Sequence, residues 1–403
     1  VRRRMVWIVT GALAAVAALG GGGWYLTSGG GPAPASASVP AFAGTPTPLN
    51  PDPAAVTRDT AGRRTLTVLG AGDVLPHPEL WQQASKDGGG AMDFLPVLSG
   101  AAPAVSASDL AICHLETALA PDGGPFEGYP TFSVPPTVVG GIRRSGFDAC
   151  STASTHALDH GEEGAQRTLT ALDQAGLGHT GTFSSAAAAA KPTIYTVKGV
   201  KVGHLSYSKR GTGPQPPDGK AWLVNQVDVA AILAAAHRTR QAGAEIVVLS
   251  MTWGTEYENE PDADQQQWAK KLIASPDIDL ILGHHANVVQ PVEKISGKWV
   301  VYGMGNLLAR HAEPVNANRE GVMMRSTFVE VSPHKWQVSH LEAIPIWMDL
   351  NPDIRLVDLT RALADPAVPE GKKAIYHAAM GRIRDHLLSH GAEANGLVVP
   401  QGG

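Results

Sequence analysis

One pattern, repeated six times, most constrains what this chain can fold into: a short apolar, β-branched run that ends abruptly in glycine, histidine or other polar residues. Residues 65–69 end in Gly70-Ala71-Gly72-Asp73, residues 109–113 in His114-Leu115-Glu116, and residues 147–150 in a stretch carrying Thr155, His156 and Asp159. Residues 245–249 lead into Thr252 and Glu256, residues 278–282 into Gly283-His284-His285-Ala286-Asn287, and residues 299–302 into a glycine-rich turn with Asn306. Such runs suit strands covered on both faces of a sheet. Residues 164–175, 228–242 and 262–274 have apolar positions at helical spacing or are rich in alanine. The second of these stops at Gly243, a C-terminal signal. The third has Asp262 and Asp264 at its start and Lys270 and Lys271 near its end, as the helix dipole prefers. Strands alternating with helices predict an α/β architecture. In open α/β sheets ligands bind beyond the carboxyl ends of the strands. Six strand ends that share histidines and carboxylates therefore predict one site.

The rest of the chain sets the context. Arg2, Arg3 and Arg4 precede an apolar, uncharged run over residues 5–26, long enough to span a bilayer. Basic, then apolar, then small and polar is the order of an export signal. We read residues 1–27 as a signal anchor, with a cleaved signal peptide as the alternative. The arginines place the short end in the cytoplasm and the remainder outside. Residues 28–62, rich in Ala, Pro, Ser and Gly, read as a tether. The expected localisation is a single-pass membrane protein with an extracytoplasmic domain, or else a secreted one. Residues 63–350 are expected to form the main domain and residues 351–403 a helical extension. Residues 186–190 predict a helix turn and residues 208–222 a loop. Residues 321–331 and 336–347 read as strands of a second sheet, and 355–390 as helix around a proline break.

The net charge of −5 and the lack of a basic block interleaved with aromatics argue against a nucleic-acid partner. The two cysteines, Cys113 and Cys150, sit in apolar runs and show no CxxC spacing. Buried thiols and an oxidised pair both remain open.

Among the chemistry-bearing residues, Asp73 at a strand end is placed to bind a hard cation, with His77 four residues on. The GxG before it lacks the third glycine of a dinucleotide site, and the plain reading is a tight turn that exposes Asp73. Glu116 could bridge metals, and His114 could orient a neighbour. His156 and Asp159 are spaced to share one face at the start of a helix, where the carboxylate fixes the imidazole tautomer. The plain alternative is a helix cap by Ser154 or Thr155. His284 and His285 are adjacent, so one of the two is expected in the site. No GxSxG, SxxK or HExxH pattern appears, which leaves serine hydrolases and zincins unsupported.

With these residues lined up, the chain resembles the CapA family of capsule and poly-γ-glutamate synthesis proteins. GDVLPH resembles that family's GDVML start, HLET its NLE, and GFDACSTASTHALDHG its GFD…ANNHALDYG. MTWGTEYE resembles HWGxEY, LILGHHANVVQPVE resembles LIIGHHPHVxQPxE, and VVYGMGNLL resembles YSLGNF; TFSVPP is a further shared phrase. The resemblance covers roughly residues 65–346. It implies a four-layer α/β/β/α sandwich of the calcineurin-like metallophosphatase type. It implies a divalent metal site, of one or two Mn, Zn or Ca ions, with Asp73, Glu116, His285 and Asn287 as ligands. His156 would be the acid, oriented by Asp159. His114, Thr155, Thr252, Glu256, His284 and Asn306 would lie around the site.

The chain also departs from the family pattern. Thr155 stands where the family has Asn, Thr252 where it has His, Asn287 where it has a second His, and His114 where it has Asn. Threonine hydroxyls are poor ligands for divalent cations. Two readings follow. One is a metal-dependent hydrolase or transferase acting on phosphoester or γ-amide bonds of an anionic or cell-wall polymer. The other is a non-catalytic binding or assembly module beside a polymer-synthase complex in the membrane. A secreted phosphoesterase is a third.

Overall fold

The computed structural model describes residues 56–401 apart from residue 212. The apolar run at 5–26 and most of the tether lie outside the described residues. Among the described residues no helix is long and apolar enough to cross a membrane.

Two sheets pack face to face. In the first, strands run in the order Arg355–Asp358, Lys335–Asp349, Glu320–Ser332, Arg64–Leu75, Leu110–Leu115, Ala149–Ser151 and Gly178–Thr180. The last four of these are parallel. In the second the order is Val292–Ile295, Lys298–Val301, Leu280–His284, Ile246–Thr252, Val200–Ser208 and Ile194–Val197, with the inner four parallel. Leu66, Val68 and Ile112 meet Val202, Val248 and Leu282 between the sheets. The opposite face of the first sheet packs on Phe94, Leu98, Val139 and Ile142. The opposite face of the second packs on Ile232, Ala236, Ala269 and Leu272. Each sheet is thus apolar on both faces, and the result is a four-layer α/β/β/α sandwich.

The six apolar runs all supply strands of the two sheets. The helices Gly161–Gln174, Val229–Gln241 and Ala263–Ile273 match the expected stretches within a few residues. Asp228 caps the second by accepting from the Ala231 amide at 3.0 Å. Asp262 and Gln265 form a capping box on the third.

Three expectations need correction. Glu320–Ser332 and Lys335–Asp349 do not belong to a second sheet; they extend the first, the former pairing with Arg64–Leu75 through Met324–Gly70 and Phe328–Leu66 and the latter pairing with the former. The stretch expected to be helical from 355 opens instead with the strand Arg355–Asp358, because its alternate residues Leu356 and Asp358 turn inward beside Lys335–Asp349. Its helices Leu359–Ala364 and Glu370–Leu388 then cover the core with Leu359, Tyr376, Ile383 and Leu387. Finally, Gly70-Ala71-Gly72-Asp73 is not an exposed turn. The strand runs through it to Leu75, since Asn306–Ala309 pairs alongside, and Asp73 is fully buried. The glycine is needed for that approach: a Cβ at Gly72 would lie 2.1 Å from the Gly305 carbonyl oxygen.

His204 lies between the sheets with Nε2 3.0 Å from Ser250 Oγ, and burial pushes its pKa down to about 3. The unfolded chain takes that proton near 6.5. Its contribution to stability is therefore intact above the unfolded value and lost as pH falls toward the folded one. Between about pH 7.5 and about pH 5.5 the loss is about 1.4 kcal/mol. Urea unfolding at the two pH values should show His204→Gln to be less acid-sensitive than the parent by that amount.

Candidate functional site

The carboxyl ends of the central strands of both sheets converge, and they carry the expected residues together. Asp73 lies at the centre. Its Oδ1 accepts from His284 Nδ1 at 3.1 Å and its Oδ2 from the His285 amide at 2.9 Å. His114 stacks on His284 with ring centroids 4.2 Å apart. One ligand atom from each of Asp73, His114 and His284 falls within 4.8 Å of the others, and all three residues are buried. Both adjacent histidines face the site, where one was expected. The backbone allows this because His285 turns at φ 87° and Asn287 at φ 58°, left-handed conformations held at a cost in two non-glycine residues. Gly283 lets this turn form: a Cβ there would sit 1.9 Å from the Tyr302 carbonyl oxygen.

The hydrogen bonds assign tautomers. Thr252 donates its only hydroxyl proton to the Ala153 carbonyl at 2.7 Å. Toward His114 Nε2, 3.4 Å away, it can then only accept. That assigns His114 as the Nε2–H tautomer, with Nδ1 accepting from Ser151 Oγ at 2.8 Å. In this arrangement His114 has no lone pair left for a ligand, and Thr252 acts through it.

The atoms left without partners are different ones. Glu116 Oε2, His285 Nδ1, Asn287 Oδ1 and Asn306 Oδ1 are buried and make no hydrogen bond. His285 Nδ1 lies 3.9 Å from Glu116 Oε1. Three of these orphans are oxygen acceptors, and buried acceptors are rarely left unpaired. Burial pushes the carboxyl groups of Asp73 and Glu116 upward, Glu116 strongly and with the Asp73 charge adding to it. A buried carboxylate oxygen of Glu116, an imidazole nitrogen and two amide oxygens without hydrogen-bond partners, beside the buried and hydrogen-bonded Asp73, suit a divalent cation by their chemistry. Burial also holds His285 down at about 4, so that its ring is neutral and able to ligate.

His156 and Asp159 do meet, with Nδ1 2.7 Å from Oδ2. They sit in the turn before the helix, whose first residue is Gly161 and whose N-terminus neither Ser154 nor Thr155 caps. Ser154 Oγ instead donates to the Glu116 carbonyl, and Thr155 Oγ1 is buried without a partner. Burial pulls the His156 imidazolium down, but the hydrogen bond to Asp159 and the Glu116 charge outweigh it and hold its pKa above the ordinary value. Asp159→Asn should lower it, read by NMR titration of the ring protons. Glu256 stands at the rim, half-exposed, with Oε1 3.9 Å from His285 Nε2. Asn306 donates to the backbone carbonyls of Asn287 and Asn318 and thus ties two loops. His77 lies beside the site, its ring 4.7 Å from that of His311.

Sequence reading missed Lys209, Ser151 and His311. Lys209 Nζ donates to the Gly254 carbonyl, and its charge is felt at His285. It follows the strand Val200–Ser208, whose alternation VKVGHLSYS was the available signal.

The architecture and this convergence of carboxylates and histidines define a class: an α/β/β/α protein with a buried cation-type site at its strand ends. The family described as "Bacterial capsule synthesis protein PGA_cap" matches residues 67–311, and the chain belongs to that family. The PGA biosynthesis protein CapA of Bacillus subtilis is 28% identical over 178 residues, covering 41% of this chain and 44% of that protein. The chain thus spans less than half the length of this Bacillus relative. A "Probable polyglutamine synthesis accessory protein" of Mycobacterium tuberculosis is 26% identical over 273 residues, 59% of this chain and 70% of that one. Among solved structures, the calcineurin-like phosphoesterase YfkN of Bacillus subtilis is 11% identical with a TM-score of 0.40, covering 81% of this chain and 98% of that one. At that score the likeness fixes nothing further, and the architecture stands on the strand order above.

Proposed function

We propose that this chain is an extracytoplasmic, membrane-tethered protein of capsule or poly-γ-glutamate-type polymer synthesis, and that its strand-end site is a metal-dependent hydrolytic or transfer centre. The observation that carries the centre is the set of orphaned buried atoms on Glu116, His285, Asn287 and Asn306 around Asp73. Manganese or zinc suits a set of mixed oxygen and imidazole donors. A bound cation would offset the charge of an anionic substrate and polarise the bond to be cut. The chain's own residues do the rest. Asp159 fixes the His156 ring by its hydrogen bond, and His156 keeps a proton that it can give to a leaving group. Lys209 adds positive charge beside His285. The polymer assignment rests on the family, and the natural partner is a polymer-synthase complex in the membrane. Export is supported by the basic-apolar order of residues 2–26 and by the Cys113–Cys150 disulfide, a bond that oxidising compartments favour.

The test uses the full chain purified without chelator. Elemental analysis should find bound divalent metal, and γ-linked polyglutamate should shorten or be transferred in a reaction that EDTA stops. The second reading, a non-catalytic binding module, is favoured by Thr252, whose hydroxyl is committed to Ala153 and His114 rather than offered to a ligand. Polymer binding that persists in EDTA without any turnover would select it.

A further inference from the structure

A cavity of about 370 Å³ lies beyond the strand-end site, on the outer face of the second sheet near its edge. That volume is within the range of ligand sites, about 300–1,000 Å³. Its floor is Leu205 and Tyr207 of the strand Val200–Ser208, one wall is the helix Val229–Gln241, and the other is the segment around Ala190 and Lys191.

Asn225, Gln226 and Thr239 line the cavity but are hydrogen-bonded elsewhere, whereas three further polar side chains of the lining are not. Tyr207, which lines the cavity, is only 7% exposed, yet its hydroxyl makes no hydrogen bond among the described residues. Lys191 and Arg238 also line it, and neither side chain has an ion pair or hydrogen bond. The charge of Arg238 is felt at Tyr207, as is that of Asp228. Asp228 is already committed to capping the helix through the Ala231 amide. The remaining surface is mixed, with Phe183, Pro192 and Ala235 beside polar residues such as Thr193 and Asn225. Two unpaired cations and a phenol donor over an apolar floor suit a carboxylate on a short aliphatic stem.

The cavity also has a direction. Gln226 lines it and also lines a narrow hollow that holds Lys209 and Thr155. Gln226 thus marks the side of the cavity shared with Lys209 and Thr155, and a chain would pass over the hollow, which at about 10 Å³ has room for one water.

We propose that this cavity is a second binding site, one that takes carboxylate-bearing units of an anionic polymer and leads the chain toward Thr155 and Lys209. It rests on the polymer reading above. The test is fluorescence anisotropy of the full chain with fluorescein-labelled γ-linked hexaglutamate. The double variant Lys191→Glu/Arg238→Glu should weaken binding by at least about tenfold, and Tyr207→Phe, which keeps the ring packing, by about threefold. A γ-linked hexaglutamine of the same length should not compete. Lys191 and Arg238 are exposed, so thermal unfolding of the double variant should fall only slightly below the parent's, the shift arising from a carboxylate in the last turn of the helix Val229–Gln241. The γ-linked glutamate dimer, too short to span both sites, reports the strand-end site alone through its turnover with added manganese. Hexamer affinity unchanged in the double variant overturns the second site; if Asp73→Ala nonetheless abolishes it, the polymer reading stands without it. No hexamer binding by the parent overturns both.

Discussion

Asp73→Ala is expected to abolish both metal binding and turnover, the latter by a factor on the order of 10²–10³, several kcal/mol of lost charge stabilisation. The reason is the number of things that one carboxylate holds. It is the buried anion at the centre of the site, and its two oxygens fix His284 through Nδ1 and His285 through its amide. His285 sits at φ 87°, and the bond from its amide to Asp73 is what holds that turn against its cost. Alanine removes the charge and releases both histidines at once. Asp73→Asn separates the two effects, because the amide oxygen can still accept from one of them. Elemental analysis and thermal unfolding with and without manganese are the measurements. In the parent a cation at 100 times its Kd adds about 2.7 kcal/mol to stability. That increment should vanish in Asp73→Ala. Equal metal content in parent and variant would show that the cation is held elsewhere.

The fold was legible where local pattern and tertiary burial agree. The six apolar runs became strands because a strand covered on both faces needs apolar residues at every position. The capped helices were legible for the same reason, since Asp228 and Asp262 signal their starts locally. Sheet membership was not. Glu320–Ser332 joins the first sheet because it pairs with Arg64–Leu75, more than two hundred residues away, and no local pattern encodes that partner. Asp73 shows the same limit at the site. GAGD has the composition of a turn, but Asn306–Ala309 arrives alongside and keeps the strand extended. Histidine and carboxylate residues at strand ends were visible as candidates, whereas their hydrogen-bond duties were not. That Thr252 gives its proton to Ala153, and so fixes His114, depends on three strands meeting. Lys209 was passed over because the strand before it, Val200–Ser208, carries Lys201, Gly203 and His204 among its apolar positions and signals itself only by alternation, not by an apolar run.

Cys113→Ala/Cys150→Ala is expected to destabilise the protein by about 3–4 kcal/mol. The two cysteines stand directly opposite each other on adjacent parallel strands, both fully buried, and form a disulfide. The bond closes a loop across a sequence separation of 37. Removing that constraint restores entropy to the unfolded chain, and a loop of that length accounts for about 3.8 kcal/mol in the chain-entropy account. The bond also bears on the site, because each cysteine is followed by one of a hydrogen-bonded pair, His114 and Ser151. Register between Leu110–Leu115 and Ala149–Ser151 therefore sets the distance on which the His114 tautomer depends. Urea unfolding of the double variant should show the lowered midpoint. Dithiothreitol should lower the parent's midpoint toward the same value and leave the variant's unchanged. A parent insensitive to reductant at unfolding concentrations of urea would mean that the two thiols are packed side by side without a bond.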